Sequence, residues 1–283
     1  MASPQVFWPY LAWIACLIAA AVTAGREFRR SRGFDKARTL GRLALAIPMA
    51  VFGTEHLASP HSIMRGVPAW MPAKLFWTYF VGIALIAAAL SIIFRIAPRL
   101  SAALLGIMLL CFVAMIHLPD AIASPHNRIF WTIVARDSSF GAGAILLAAA
   151  GRAGGRRSAG WDHSLATGAV YLIAAVAIFF GIENLLHPEC VPAVPLAKIV
   201  PAWIPMARVW TIITGIGLVA AGVAMFVKRC SRQAAAGLGA WVLLLVWSLY
   251  LAILISQRDI EGLNYFADTM VYAGVLLIAS RSA

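Results

Sequence analysis

Charge is scarce in this chain, and negative charge is scarcest. Eleven Asp and Glu stand against 23 Lys and Arg in 283 residues, so charged residues make up only 12%. A soluble domain carries about a quarter. Hydrophobic residues reach 62% and the mean hydropathy is +0.87, which excludes an ordinary soluble fold. The net charge of +12 does not indicate a nucleic-acid partner, because no basic patch is interleaved with stacking aromatics. Cysteine is also sparse. Cys16, Cys111, Cys190 and Cys230 form no C-x-x-C pair, which excludes a dithiol relay. The apolar runs show no alternation of period two, so an outer-membrane barrel is excluded as well. Nor does the start of the chain read as a signal peptide, because its charges follow the first apolar run instead of preceding it.

What the chain has in abundance is apolar runs of bilayer length. They cover 7–24, 39–57, 76–94, 100–118, 130–150, 165–186, 209–227, 234–255 and 265–280. This predicts an all-α, polytopic membrane helical bundle of about nine transmembrane helices. With the N-terminus outside and the C-terminus cytoplasmic, about 16 of the 23 basic residues fall on the cytoplasmic side. Most acidic residues and most histidines then fall on or near the outer side.

The sequence repeats. Gly53 matches Gly181, and Glu55 matches Glu183 (181 − 53 = 128). "VPAWMP" at 67–72 matches "VPAWIP" at 200–205 (200 − 67 = 133), so the second copy has a longer outer loop. At the larger offset Arg65 pairs with Lys198, Trp77 with Trp210 and Gly82 with Gly215. Further on, Asp137 matches Asp268 and Gly143 matches Gly274. An ordered series of matches across four spans indicates duplication. Four helices per copy is an even number, so the two copies enter the membrane in the same direction as parallel repeats. The expected division is an anchor helix and basic loop at 1–38, a first repeat at 39–150, a basic linker at 151–164 and a second repeat at 165–283.

Four motifs carry polar chemistry. In "FG-x-E", Glu55 and Glu183 each sit near the outer end of a helix, where an unpaired charge costs a few kcal/mol. The alternatives are a structural ion pair and a substrate or proton site. In "VPAW-[MI]-P", Trp70 and Trp203 read as interfacial anchors, or as part of a short lid from which Arg65 or Lys198 reaches a carboxylate. In "ARDSS", Asp137 faces the bundle with Arg65 or His56 as expected partners. Arg136 is discounted there, because helical neighbours point about 100° apart. In "HLPD", His117 is matched by Tyr250, and His56 is matched by Asn184. The first copy is therefore expected to be the chemically active half. Glu55, His56, His117 and Asp137 are its candidate catalytic residues. Arg65, Trp70, Arg136, Glu183, Asn184 and Asp268 are expected around the pocket. Ligand types for a metal are present, but no H-E-x-x-H or similar spacing supports one, and no metal or haem is expected.

These residues carry a resemblance. "FGTEHL", "VPAWMP" with Trp77 and Gly82, "HLPD" and "RDSSFGAG" resemble the DoxX-like family of bacterial integral membrane proteins, whose members are typically single four-helix units. The resemblance covers Thr39 to about Ser280 and implies two fused units in a bacterial inner (cytoplasmic) membrane. It also implies a link to oxidoreductase complexes, the family name coming from a thiosulfate:quinone oxidoreductase subunit. The functional expectation is a quinone-linked membrane oxidoreductase component, with a quinone or small redox molecule in an outward-facing polar pocket. A separate redox protein would carry electrons, and the surrounding partner is the lipid bilayer. A small-solute transporter and a structural or assembly factor of a membrane complex are the alternatives.

Overall fold

The structure, a computed structural model, describes residues 4–150 and 160–282. Most of the expected basic linker, with Arg152, Arg156 and Arg157, lies outside the described residues. Helix has already begun by Gly160, short of the linker's expected end.

Among the described residues the chain is helical, and one isolated antiparallel bridge joins Cys190 to Ile199. The long helices are α1 (Pro4–Arg30), α2 (Phe34–Ala58), α3 (Lys74–Phe94), α4 (Pro98–Ala123) and α5 (Arg128–Ala149). They continue with α6 (Gly160–Leu186), α7 (Ala207–Met225), α8 (Lys228–Gln257) and α9 (Ile260–Ser282). Seven of them are long and apolar enough to cross a membrane, the signature of an integral membrane protein. The two others, α2 and α5, carry charges such as Arg42, Glu55, Arg136 and Asp137.

Packing accounts for that difference. In chain order the helices after α1 are taken as two groups of four, α2–α5 and α6–α9, which pack across each other. In each group the first helix packs on the second and the third on the fourth. Between the groups, α9 packs on α2 and α5, and α5 packs on α6. The inner helices meet protein more than lipid, so they tolerate polar residues. The apolar window of α9 is 89% buried, whereas that of α1, which leans on α2 and α3, is only 17% buried. Glycines let backbones approach. A Cβ on Gly53 would stand 2.6 Å from the Gly82 carbonyl oxygen, and one on Gly181 would stand 2.8 Å from that of Gly215.

α4 and α8 are not uniform. Each contains one π-helical stretch, Val113–His117 and Val246–Tyr250. The wider turn re-aims the side chains that follow it, a feature frequent at functional sites. At the basic end of the bundle, Arg42 donates to Glu27 at 3.0 Å and to the Ile92 carbonyl at 2.7 Å. Arg95 reaches the same Glu27 oxygen at 3.2 Å.

Candidate functional site

At the opposite end a cavity of ≈ 730 Å³ opens between α2, α3, α4, α5 and α9. Its walls are mostly apolar, with Met49, Phe52, Val81, Leu85, Met108 and Phe140 among them. Phe80 on α3 and Cys111 on α4 also line it and are exposed. The cavity therefore reaches the flank of the bundle between those helices. Gly66, Val67, Pro68 and Met71, from the loop between α2 and α3, lie against its outer part.

The polar groups gather at one part of the wall. Glu55 Oε1 accepts from Asn264 Nδ2 at 3.1 Å. Asn264 Oδ1 is buried without a partner. His56 Nδ1 lies 2.7 Å from the Phe52 carbonyl oxygen. A carbonyl only accepts, so Nδ1 carries the proton and Nε2 is the acceptor of the neutral ring. His117 Nε2 lies 2.9 Å from Asp137 Oδ2. Asp137 Oδ1 accepts from Arg136 Nε at 2.7 Å, and Arg136 Nη1 donates to Asp268 Oδ2 at 2.8 Å. His117, Asp137, Arg136 and Asp268 thus form a continuous chain across three helices. A carboxylate on Nε2 fixes the histidine's orientation and leaves Nδ1 as its second proton-exchanging atom.

The structure brings Glu55, His56, His117, Asp137, Arg136 and Asp268 to one cavity. Other expectations are corrected. Asp137 is partnered by Arg136 and His117, not by Arg65 or His56. The arginine arm is long enough to fold back around its own helix, so the angle between adjacent residues does not separate them. Arg65 is exposed, forms none of the site's ion pairs and lies outside the cavity lining. Trp70 is 67% exposed and also lies outside it. Glu183 and Asn184 do not reach the cavity either. Glu183 pairs with Arg128 at 3.6 Å, and Asn184 is fully buried against the longer loop. The cavity is not lined by residues 39–150 alone, because α9 supplies both Asn264 and Asp268. Sequence reasoning missed Asn264, although it stands four residues before Asp268 and so shares its helical face. It also missed Thr78, a cavity-lining hydroxyl that donates to the Lys74 carbonyl at 3.0 Å.

The corresponding space in the second group of helices is filled by the chain itself. Val191, Ala193 and Val194, in the loop between α6 and α7, are almost fully buried. Thr211 donates to the Cys190 carbonyl at 2.8 Å, and the Tyr250 hydroxyl donates to the Pro192 carbonyl. Asn184 binds Ala193 twice, to its carbonyl at 3.2 Å and from its N–H at 3.1 Å. Ala193 has φ +78°, a conformation a residue with a Cβ keeps only when its surroundings enforce it. From the first group, Arg128 reaches across to the Pro195 carbonyl at 2.8 Å and to Cys190 Sγ at 3.3 Å. Burial pushes the Cys190 thiol above its ordinary pKa, and the Arg128 charge opposes that shift.

Among the described residues, no group of three or more His, Cys, Asp or Glu is arranged to hold a metal ion. Comparison of the chain with protein-family models, with curated proteins and with solved structures gives no match.

Proposed function

We propose that this protein is a component of a membrane oxidoreductase system that binds a quinone, or a small redox molecule of similar shape, in the cavity beside Glu55 and His117. The observation that carries this reading is the pairing of an apolar, flank-reaching cavity with proton-exchanging groups at one part of its wall. A lipid-dissolved ring enters between α3 and α4 and packs on Phe52, Met108 and Phe140. Its oxygens lie beside Glu55, His56 and His117, which donate to a quinone when protonated and accept from a quinol when not. Reduction of a quinone takes up two electrons and two protons. The protons pass through Glu55, His56 or His117, Asp137 orients His117, and the electrons come from a separate redox protein. The unpartnered Asn264 Oδ1 suits a hydroxyl donor, as on a quinol.

The same reading takes the chain as two parallel DoxX-like repeats behind one anchor helix, nine spans in all, in a bacterial inner membrane with the cavity facing outward. Support comes from features recurring at matched positions. These are the Gly53–Gly82 and Gly181–Gly215 contacts, the two π-helical stretches, and the left-handed residues Ala73 and Met206 before α3 and α7. The motifs at 52–57, 67–72, 117–120 and 136–143 carry the resemblance, and the bias of basic residues suggests the orientation. The experiment is titration of the purified protein in nanodiscs with a short-tailed 1,4-benzoquinone, followed by its two-electron reduction to the quinol with a soluble chemical reductant standing in for the redox protein. Saturable binding that is lost on filling the cavity with Val81→Trp supports the reading. No binding and no turnover reject it.

A further inference from the structure

The second hollow is occupied by the chain's own backbone, and the groups that hold it have counterparts in the open cavity. Thr211 corresponds to Thr78, Tyr250 to His117 and Asn184 to His56. The correspondence extends to hydrogen bonds. His56 Nδ1 lies 2.7 Å from the Phe52 carbonyl, and Asn184 Nδ2 donates to the Phe180 carbonyl at 2.6 Å. His117 and Tyr250 are each the last residue of their π-helical stretch. In the filled hollow each of the three donates to a carbonyl oxygen, those of Cys190, Pro192 and Ala193, and Asn184 also accepts from the Ala193 N–H. In the open cavity Thr78, 2% exposed, has no such oxygen before it and bonds back to its own helix at Lys74.

We infer that the loop segment Cys190–Leu196 is an internal stand-in for the ligand of the first cavity, and that Thr78 is a ligand-binding residue that donates to a carbonyl oxygen of that ligand. This rests on the reading of the cavity given above and narrows its ligand to molecules with at least two carbonyl oxygens set apart on a flat, apolar body. One oxygen meets Thr78 on α3. Another meets His117 on α4, whose Nε2 already faces Asp137 and whose Nδ1 donates to the carbonyl in the imidazolium form of the ring. On binding, the Thr78 hydroxyl turns from the Lys74 carbonyl to the ligand. The cost is small, because one neutral hydrogen bond replaces another. The five extra residues of the second loop explain why only one hollow is open. They give that loop the reach to fold inward, and the shorter loop at 59–73 lies over the first cavity without filling it.

The test uses the full chain in nanodiscs and two probes. One is a short-tailed 1,4-benzoquinone, and the other is the same ring and tail without the two carbonyls. Calorimetry measures both against wild type, Thr78→Val, Thr78→Ser and Thr211→Val. The expected result is that the quinone binds wild type at least about tenfold tighter than the carbonyl-free ring. Thr78→Val weakens quinone binding about fivefold and leaves the carbonyl-free ring unchanged. Thr78→Ser restores the quinone affinity, and Thr211→Val lowers the melting temperature without altering affinity. Equal binding of both probes, or a Thr78→Val protein that binds quinone as wild type does, overturns the inference while the cavity reading stands. Failure of both probes to bind wild type overturns both.

Discussion

Arg136 Nη1 and Asp268 Oδ2 lie 2.8 Å apart, and this bond ties α5 to α9 beside the cavity. The same guanidinium holds Asp137 through Nε, so one cation is shared by two buried carboxylates. Removing it leaves Asp268 without its cation and Asp137 with only the His117 contact. Arg136→Met is expected to cost about 3–5 kcal/mol, the range for breaking a buried pair from one side. The triple change Arg136→Met, Asp137→Asn, Asp268→Asn is expected to recover most of that loss, because no isolated charge remains. Thermal unfolding in detergent, followed by circular dichroism, compares the three proteins. An Arg136→Met protein as stable as wild type would show that the chain of contacts is not structural.

Glu55 stands apart from that chain, and its carboxylate accepts from Asn264. Glu55→Gln keeps an acceptor oxygen for Asn264 Nδ2, so the stability loss is expected to be only about 1 kcal/mol. The functional consequence is larger if Glu55 exchanges protons with a ligand. Quinone reduction by an external reductant, measured across pH, is expected to lose one limb of its profile in Glu55→Gln and to keep the limb due to histidine. Identical profiles for both proteins would assign Glu55 to structure alone.

How much of this could be read from the sequence differs between fold and site. Apolar runs of bilayer length marked the positions of the helices, with ends up to about six residues off, because burial in lipid demands continuous helix while polar ends extend beyond it. Glu55, His56, His117 and Asp137 drew notice because polar groups within apolar runs are costly. Their partners were less legible. Pairing Asp137 with Arg65 relied on helical direction alone and ignored how far an arginine can fold back. Placing Glu183 and Asn184 in the pocket assumed that matched positions keep matched surroundings. The loop insertion at 187–206 breaks that assumption, since five residues suffice to turn a hollow into packed interior. Asn264 shows the reverse case: its spacing from Asp268 was visible, but nothing in one sequence says that α9 crosses to face α2.

Helix approach at glycine gives a test that does not depend on any ligand. Gly53→Ala is expected to destabilise by about 1–3 kcal/mol, because its Cβ would meet backbone that cannot move aside. Gly217 lies on α7, and a Cβ added there would meet nothing within 4 Å, so Gly217→Ala is expected to be neutral or mildly stabilising. The same Ala substitution thus separates packing from helix propensity. Melting temperatures of the two variants in one detergent make the comparison, and equal losses would contradict the close Gly53–Gly82 crossing.

Cys190 reports on the loop that fills the second hollow. The residue is 4% exposed and burial raises its thiol pKa, so less thiolate forms near neutral pH than in a free cysteine. In a background with Cys111 and Cys230 changed to alanine, a water-soluble maleimide is expected to label Cys190 slowly at pH 7. Asn184→Ala removes both bonds to Ala193, whose left-handed conformation then loses the contacts that enforce it. The loop is expected to open, the thiol pKa to fall toward the ordinary value, and labelling to accelerate about tenfold or more. Raising the pH should speed labelling of the closed form more steeply than that of the open form, because the closed form starts with the smaller thiolate fraction. If Asn184→Ala leaves the rate unchanged, the loop is held by Arg128 and Tyr250 without it, and the corresponding Arg128→Ala protein would then show the acceleration instead.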